Sequence, residues 1–204
     1  MPAHTAPIEA DVDGYVTELI GQVAPDHQTA FSKLDAMFRP RVRDFLYRAC
    51  GDHWLADELT NETFLRAYQS LASYRGHTQR QFQSFLFSIA ANLLRDHFRH
   101  RRAVQVGFSQ EITEQSQSDC AEGNGNNALE TKERSSMLQE ALARLTADET
   151  ILISLSHIED LPAEQIALIM GKPSAQAVRS ALCRAMKHLR TVLKLQGYFT
   201  QLPA

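Results

Sequence analysis

A chain of 204 residues holds one domain or two small ones, and its 44% apolar share is enough to bury a core. No run is long enough to span a membrane, since the densest, Phe85–Leu94, is broken by Ser88 and Asn92. The opening Met1-Pro-Ala-His-Thr-Ala-Pro-Ile-Glu9 lacks the segments of a signal peptide, and the scattered Cys50, Cys120 and Cys183 form neither a disulfide framework nor a cysteine zinc site. The expectation is a reduced, cytoplasmic protein without membrane insertion.

Apolar residues recur at helical spacing almost throughout, and strand signals are scarce. Tyr15, Val16, Leu19, Ile20 and Val23 form a first stripe. Phe31, Leu34, Met37 and Phe38 form a second, and Val42, Phe45, Leu46 and Ala49 a third, with Pro40 between them expected to kink or restart the helix. A further helix is predicted from about Trp54, its indole buried, to about Leu71. Tyr74–Arg80 reads as a turn, and Phe82 to about Arg101 as one long helix. Residues 103–134 are polar, acidic and glycine-bearing, too poor in apolar surface to offset ordering entropy, and read as a flexible linker. Helical spacing resumes at Leu138. Thr146-Ala-Asp-Glu149 has the form of a capping box opening a helix through Ile158. Ala163–Met170 and a last helix carrying Val178, Leu182, Met186, Leu189 and Leu193 follow, separated by Gly171-Lys-Pro and capped at or near Ser174.

The net charge of −3 argues against a nucleic-acid partner until its distribution is read. From Gln165 to the end there are six basic residues and no acid, and Arg75–Arg102 holds six arginines against Asp96 alone. Such local basic faces are the footprint of phosphate binding. The final helix pair has the layout of a helix-turn-helix, with Ile166, Ala167 and Ile169 or Met170 facing inward. Lys172, Ser174, Gln176, Arg179 and Ser180 are placed for base edges or phosphates, and Arg184 and Lys187 for phosphates. The plainer reading is an amphipathic hairpin with a solvated basic face.

Between Arg75 and Arg102, arginines alternate with phenylalanines, as a platform for stacked single-stranded bases requires. Phe82, Phe85 and Ile89 share a helical face and Phe87 lies away from it, which makes Phe87 the better exposed candidate and Phe85 the more ambiguous one. Asn92 carries donors and acceptors suited to a flipped base edge; the plainer reading is four core phenylalanines and an exposed Asn. Asp57, Glu58, Glu62 and Arg66 lie on one helix at spacings that give either a solvated face or an acidic dock for a basic partner. No phosphate-cradling glycine loop, nucleophile elbow or His-Glu-x-x-His pattern marks a catalytic site.

These blocks resemble the bacterial RNA polymerase sigma factors of the short extracytoplasmic-function type (group IV of the sigma-70 family), which keep only regions 2 and 4. The likeness covers about Val12–Arg102 and Leu138–Leu195. Ala56–Tyr68 resembles the family's Glu-Asp-Leu-Val-Gln-Glu-Thr-Phe pattern, which docks on a coiled coil of core polymerase. Glu58, Asn61 and Glu62 match its contact positions, Glu58 and Asn61 departing from the usual Asp and Gln, and Asp57 of the same acidic face is expected to join them at core polymerase. Phe82–Arg102 resembles the part that melts and captures the −10 element. It implies Phe85 in place of the usual Trp, Phe87 and Asn92 at the flipped base, and Arg95, Arg99, Arg101 and Arg102 on the backbone. It also implies that Asn92 ends a helix. Gln176-Ala-Val-Arg-Ser-Ala181 stands where the family often has Gly-Thr-Val-Lys-Ser-Arg, with Ala181 replacing a basic residue.

The resemblance implies an all-α protein of two small domains, residues 12–102 and 135–195, joined by the 103–134 linker. It implies no enzyme activity and no cofactor. Implied partners are core RNA polymerase, promoter DNA (double-stranded at −35, single-stranded at −10) and an anti-sigma factor. Two other classes compete. A stand-alone helix-turn-helix regulator would leave the acidic and Phe-rich blocks unused. A helical metal-dependent phosphohydrolase would use Glu62 and His97.

Overall fold

The computed structural model describes residues 27–76, 78–107, 137–138, 140–142 and 144–195, and every regular element among them is helical. We label them α1 (His27–Cys50), α2 (His53–Ser70, followed by a 3₁₀ turn at Leu71–Ser73), α3 (Gln79–Gly107), α4 (Ala147–His157), α5 (Ala163–Met170) and α6 (Ala175–Leu195). The stripe predicted at Tyr15–Val23 and the linker predicted at 103–134 lie mostly outside the described residues.

The first three helices pack on one another. Helix α1 passes through Pro40 as a single element, so the expected restart does not occur. Phe38, Val42, Phe45 and Leu46 are buried on both sides of the proline, and that packing holds the helix course where propensity alone would break it. Asp52 caps α2 by accepting hydrogen bonds from the backbone N–H groups of Trp54 (2.9 Å) and Leu55 (3.1 Å). With the cap made by Asp52, Trp54 points outward at 87% exposure, which corrects the expected buried indole.

Helix α3 runs unbroken from Gln79 to Gly107, so Asn92 sits mid-helix and not at a helix end. Phe82, Leu86, Phe87, Ala90, Ala91, Leu93 and Leu94 are all buried. They occupy more than one helical face because α1, α2, α4 and α5 all pack against α3.

The predicted capping box is present on α4. The Glu149 N–H donates to the Thr146 hydroxyl (3.3 Å) and the Thr146 N–H to the Glu149 carboxylate (2.9 Å). Helices α5 and α6 form the helix-turn-helix. Gly171 ends α5 in the left-handed region at φ +62°, and the Lys172 N–H reaches back to the Ala167 carbonyl at 2.8 Å. Ser174 then caps α6 through the Ala177 N–H at 3.1 Å. Leu161, Ile166, Ala167, Ile169 and Met170 share one buried cluster with Phe82, Leu86 and Phe87. A second cluster, Leu145, Ile153, Ala185, Leu189 and Val192, belongs to α4 and α6 with the segment just before them. The helix-turn-helix therefore does not stand apart; its first helix closes over α3.

Candidate polymerase and nucleic-acid interfaces

Three surfaces carry the candidate residues. The first is the outer side of α2. Trp54, Glu58, Asn61, Leu65 and Tyr68 are exposed at spacings of four, three, four and three, the seam spacing of a helix that meets another helix. Beside this seam lies a groove of about 430 Å³ lined by Glu58, Asn61, Glu62, Leu65 and Arg66 of α2 and by Leu93 of α3. The Arg66 Nε donates to Glu62 at 2.6 Å. Asn61 accepts from Arg39 at 2.7 Å, and that guanidinium also lies 4.8 Å from the Phe64 ring centre. The acidic set divides: Glu58 stands exposed on the seam, whereas Asp57 turns to α1 and is bound by Arg43, whose hydrogen bond holds its carboxyl below the ordinary range. Trp54, Leu65 and Tyr68 were expected in this helix but not among its contacts, Trp54 being expected buried, although the 54-58-61-65-68 spacing was there to be counted.

The second surface is α3. Phe87 is fully buried and meets Phe45 edge-on with ring centres 5.2 Å apart, so its expected exposure is wrong. The expectation gave α3 one buried face, whereas this helix is packed on several. Phe82 is likewise fully buried. Phe85 is half-buried against Tyr74 (4.9 Å) and Phe82 (6.1 Å), leaving part of its ring accessible. Asn92 is exposed, and its Oδ1 accepts from Arg95 at 2.5 Å. Arg95 also donates from Nε to Asp148 at 2.7 Å. Arg99 pairs with Asp96 at 2.7 Å, and Arg101 is exposed. Arg102 continues the helix, its side chain lying outside the described residues. Phe85, Asn92 and the arginines thus follow one another along α3, without Phe87.

The third surface is α6. Gln176, Arg179, Ser180, Arg184 and Lys187 are exposed on the side opposite the buried Val178, Ala185, Leu189 and Val192. Cys183 is exposed among them, a position the sequence reading left out. Arg179 donates to Glu164 of α5 at 3.0 Å. Lys172 is half-buried in the turn, and the Ser174 hydroxyl is occupied by its capping role. The remaining described thiol, Cys50, is pushed by burial to about 11, which keeps it protonated and unreactive. No helix among the described residues is long and apolar enough to cross a membrane.

Comparison with known proteins places these surfaces in two recognised segments. Residues 34–104 match Sigma-70 region 2, and residues 135–189 match Sigma-70, region 4. The chain is 34% identical over 167 residues to the RNA polymerase sigma factor CarQ of Myxococcus xanthus, covering 81% of this chain and 90% of CarQ. It is 27% identical over 193 residues to the ECF RNA polymerase sigma factor BldN of Streptomyces coelicolor, covering 93% and 70%. Among solved structures it is similar in fold to the sigma factor RpoE of Bartonella quintana, crystallised with the anti-sigma factor NepR. That match has a TM-score of 0.61 at 23% identity and covers 80% of this chain and 96% of that one.

Proposed function

The chain belongs to the sigma-70 family of RNA polymerase sigma factors, of the extracytoplasmic-function type, and we propose which of its residues carry each part of promoter recognition. A sigma factor binds core polymerase and directs it to promoters through their −10 and −35 elements. The observation that carries the assignment is the coincidence of the two matched segments with the three exposed surfaces.

The α2 seam, through Glu58 and Asn61 with Glu62 in the groove beside them, docks a helical element of core polymerase, with Trp54 and Leu65 adding apolar contact. Asp57 belongs to the same site by fixing α2 on α1 through Arg43. On α3, Phe85 stacks a base of the melted −10 strand, Asn92 reads a base edge, and Arg95, Arg99, Arg101 and Arg102 hold the backbone. On α6, Gln176, Arg179, Ser180 and Cys183 face the −35 major groove, while Lys172, Arg184 and Lys187 serve its phosphates and Ser174 fixes the start of the reading helix.

The modules are residues 12–102 and 135–195, and the short separation of the matched segments supports assignment to group IV. Polymerase performs the chemistry, and the sigma factor works without catalysis or cofactor, in the cytoplasm where polymerase acts. Regulation by an anti-sigma factor is supported by the fold shared with RpoE, which was solved bound to one.

Promoter selection with reconstituted holoenzyme tests the residue assignments. Asn92→Ala is expected to relax base preference within −10 alone, and Arg179→Ala to weaken the −35 preference alone. A change in neither profile overturns both assignments.

A further inference from the structure

The guanidinium of Arg39 on α1 is fixed by three neighbours. Its Nε donates to both carboxylate oxygens of Asp35, one turn earlier on α1, at 3.0 and 3.1 Å, and its Nη2 pairs with the same group at 2.9 Å. Its Nη1 crosses to α2 and donates to Asn61 Oδ1 at 2.7 Å. Its central carbon lies over the buried Phe64 ring, 4.8 Å from the ring centre. A planar fork held on two edges and one face keeps little freedom, unlike a lysine at the same place. We infer that Arg39, which lies outside the α2 seam, is a positioning residue for core docking. It fixes the Asn61 amide so that the NH2 group, and not the oxygen, is offered to core polymerase. This inference rests on the sigma-factor reading and adds to it a residue and a polarity.

The polarity follows from what each group can do. A guanidinium carries N–H donors and no acceptor, so the atom of Asn61 that faces it is the carbonyl oxygen. With that oxygen turned to α1, the two N–H groups are what the amide has to give a partner. Asn61 is exposed between Glu58 and Leu65 on the seam, whereas Arg39 is half-buried behind it. An exposed Asn without such a tie can present either edge, and ordering it on binding costs side-chain freedom. Arg39 removes that cost by setting the edge in advance. The seam therefore offers an acceptor at Glu58 and a donor three residues on at Asn61. The helical element of core polymerase that fits it carries a cation or donor opposite Glu58 and a hydrogen-bond acceptor opposite Asn61.

The test measures the affinity of the full chain for core polymerase in the wild type, Arg39→Ala, Asn61→Ala and the double variant, with the urea midpoint of each. Each single substitution is expected to weaken core binding about two- to tenfold, the range of one hydrogen bond, and the double variant no further than the larger single loss. Arg39→Lys keeps the charge without the fork and should fall with Arg39→Ala, which separates positioning from electrostatic attraction. Asn61→Asp keeps an oxygen for Arg39, so its urea midpoint should hold or rise, yet the outward NH2 is gone and core binding should still fall. A role confined to folding would move midpoint and affinity together. If Arg39→Ala loses helical signal, Arg39→Lys and Asn61→Asp decide. Additive losses in the double variant, or wild-type affinity in Arg39→Ala, Arg39→Lys or Asn61→Asp, would overturn the positioning role. In that case core binding that is still lost with Glu62→Lys leaves the sigma reading standing, whereas a wild-type chain that never binds core overturns both.

Discussion

Phe85 and Phe87 are two residues apart and meet opposite fates. Phe87 is buried against Phe45, so Phe87→Ala should cost about 3–5 kcal/mol of stability through the cavity it leaves, seen as a drop in the urea midpoint. Phe85 lies against Tyr74 with part of its ring accessible, so Phe85→Ala should cost less stability. Instead it should weaken holoenzyme binding to a melted −10 strand by about 1–3 kcal/mol, the value of one stacked base. Equal effects of the two substitutions on both measurements would contradict the assignment. The sequence allowed this distinction only in part. Helical spacing separated the two rings, but which of them was covered depended on Phe45 of α1, far from Phe87 in the chain. Trp54 is a different kind of miss: Asp52, two residues before it, was a local N-cap signal, and with that cap the indole stays outside.

Local chemistry was far more legible in the elements. Thr146 and Glu149 form the capping box their spacing predicted, and Ala163–Met170 has the predicted bounds. Glu149 also meets Nδ1 of His188 at 3.1 Å, fastening α4 to α6. Burial pushes its carboxyl up, but the Thr146 and His188 hydrogen bonds outweigh that and hold it below the ordinary 4.5. The unfolded chain therefore binds this proton more tightly than the folded chain. The stability Glu149 contributes is complete above about pH 4.5 and is lost as pH falls through its lower folded value. Glu149→Gln should flatten the fall of the urea midpoint between neutral pH and pH 3; an unchanged slope would exclude Glu149 as a source.

Glu159 runs the other way. Its burial, only partly offset by Arg41, raises its pKa, so its ionisation costs stability as pH rises from the ordinary 4.5 through its higher folded value. Glu159→Gln should be tolerated at neutral pH where Glu159→Arg is not. At the turn, Gly171 has φ +62° and nothing within 4 Å of an added Cβ. Gly171→Ala should therefore cost about 1 kcal/mol of backbone strain without a steric clash, measured by urea unfolding. The unbroken α1 and α3 were less legible, because Pro40 and Asn92 carry local break signals that long-range packing overrides.

At the scale of the molecule, the all-α class and the existence of two modules were readable from periodicity and from the collapse of pattern after Ala103. Their closure was not. Arg41 and Glu159 are 118 residues apart, and Arg95 and Asp148 are 53 apart; no periodicity couples such positions. Much of the candidate site was readable because its surfaces are single helical faces: the basic arc of α6 and the acidic seam of α2 follow from spacing within one element. The seam's full width waited for the exposure of Trp54, Leu65 and Tyr68. The α2 seam predicts that Glu62→Lys lowers core-polymerase affinity at least tenfold, about 1.4 kcal/mol, without loss of fold.

The central claim is tested most directly by run-off transcription with core polymerase on a library of promoter fragments, with and without this chain. The account predicts new start sites that share −35 and −10 elements, appear only with the chain, and disappear with Glu62→Lys. No new starts, together with no co-elution of the chain with core polymerase, would contradict it.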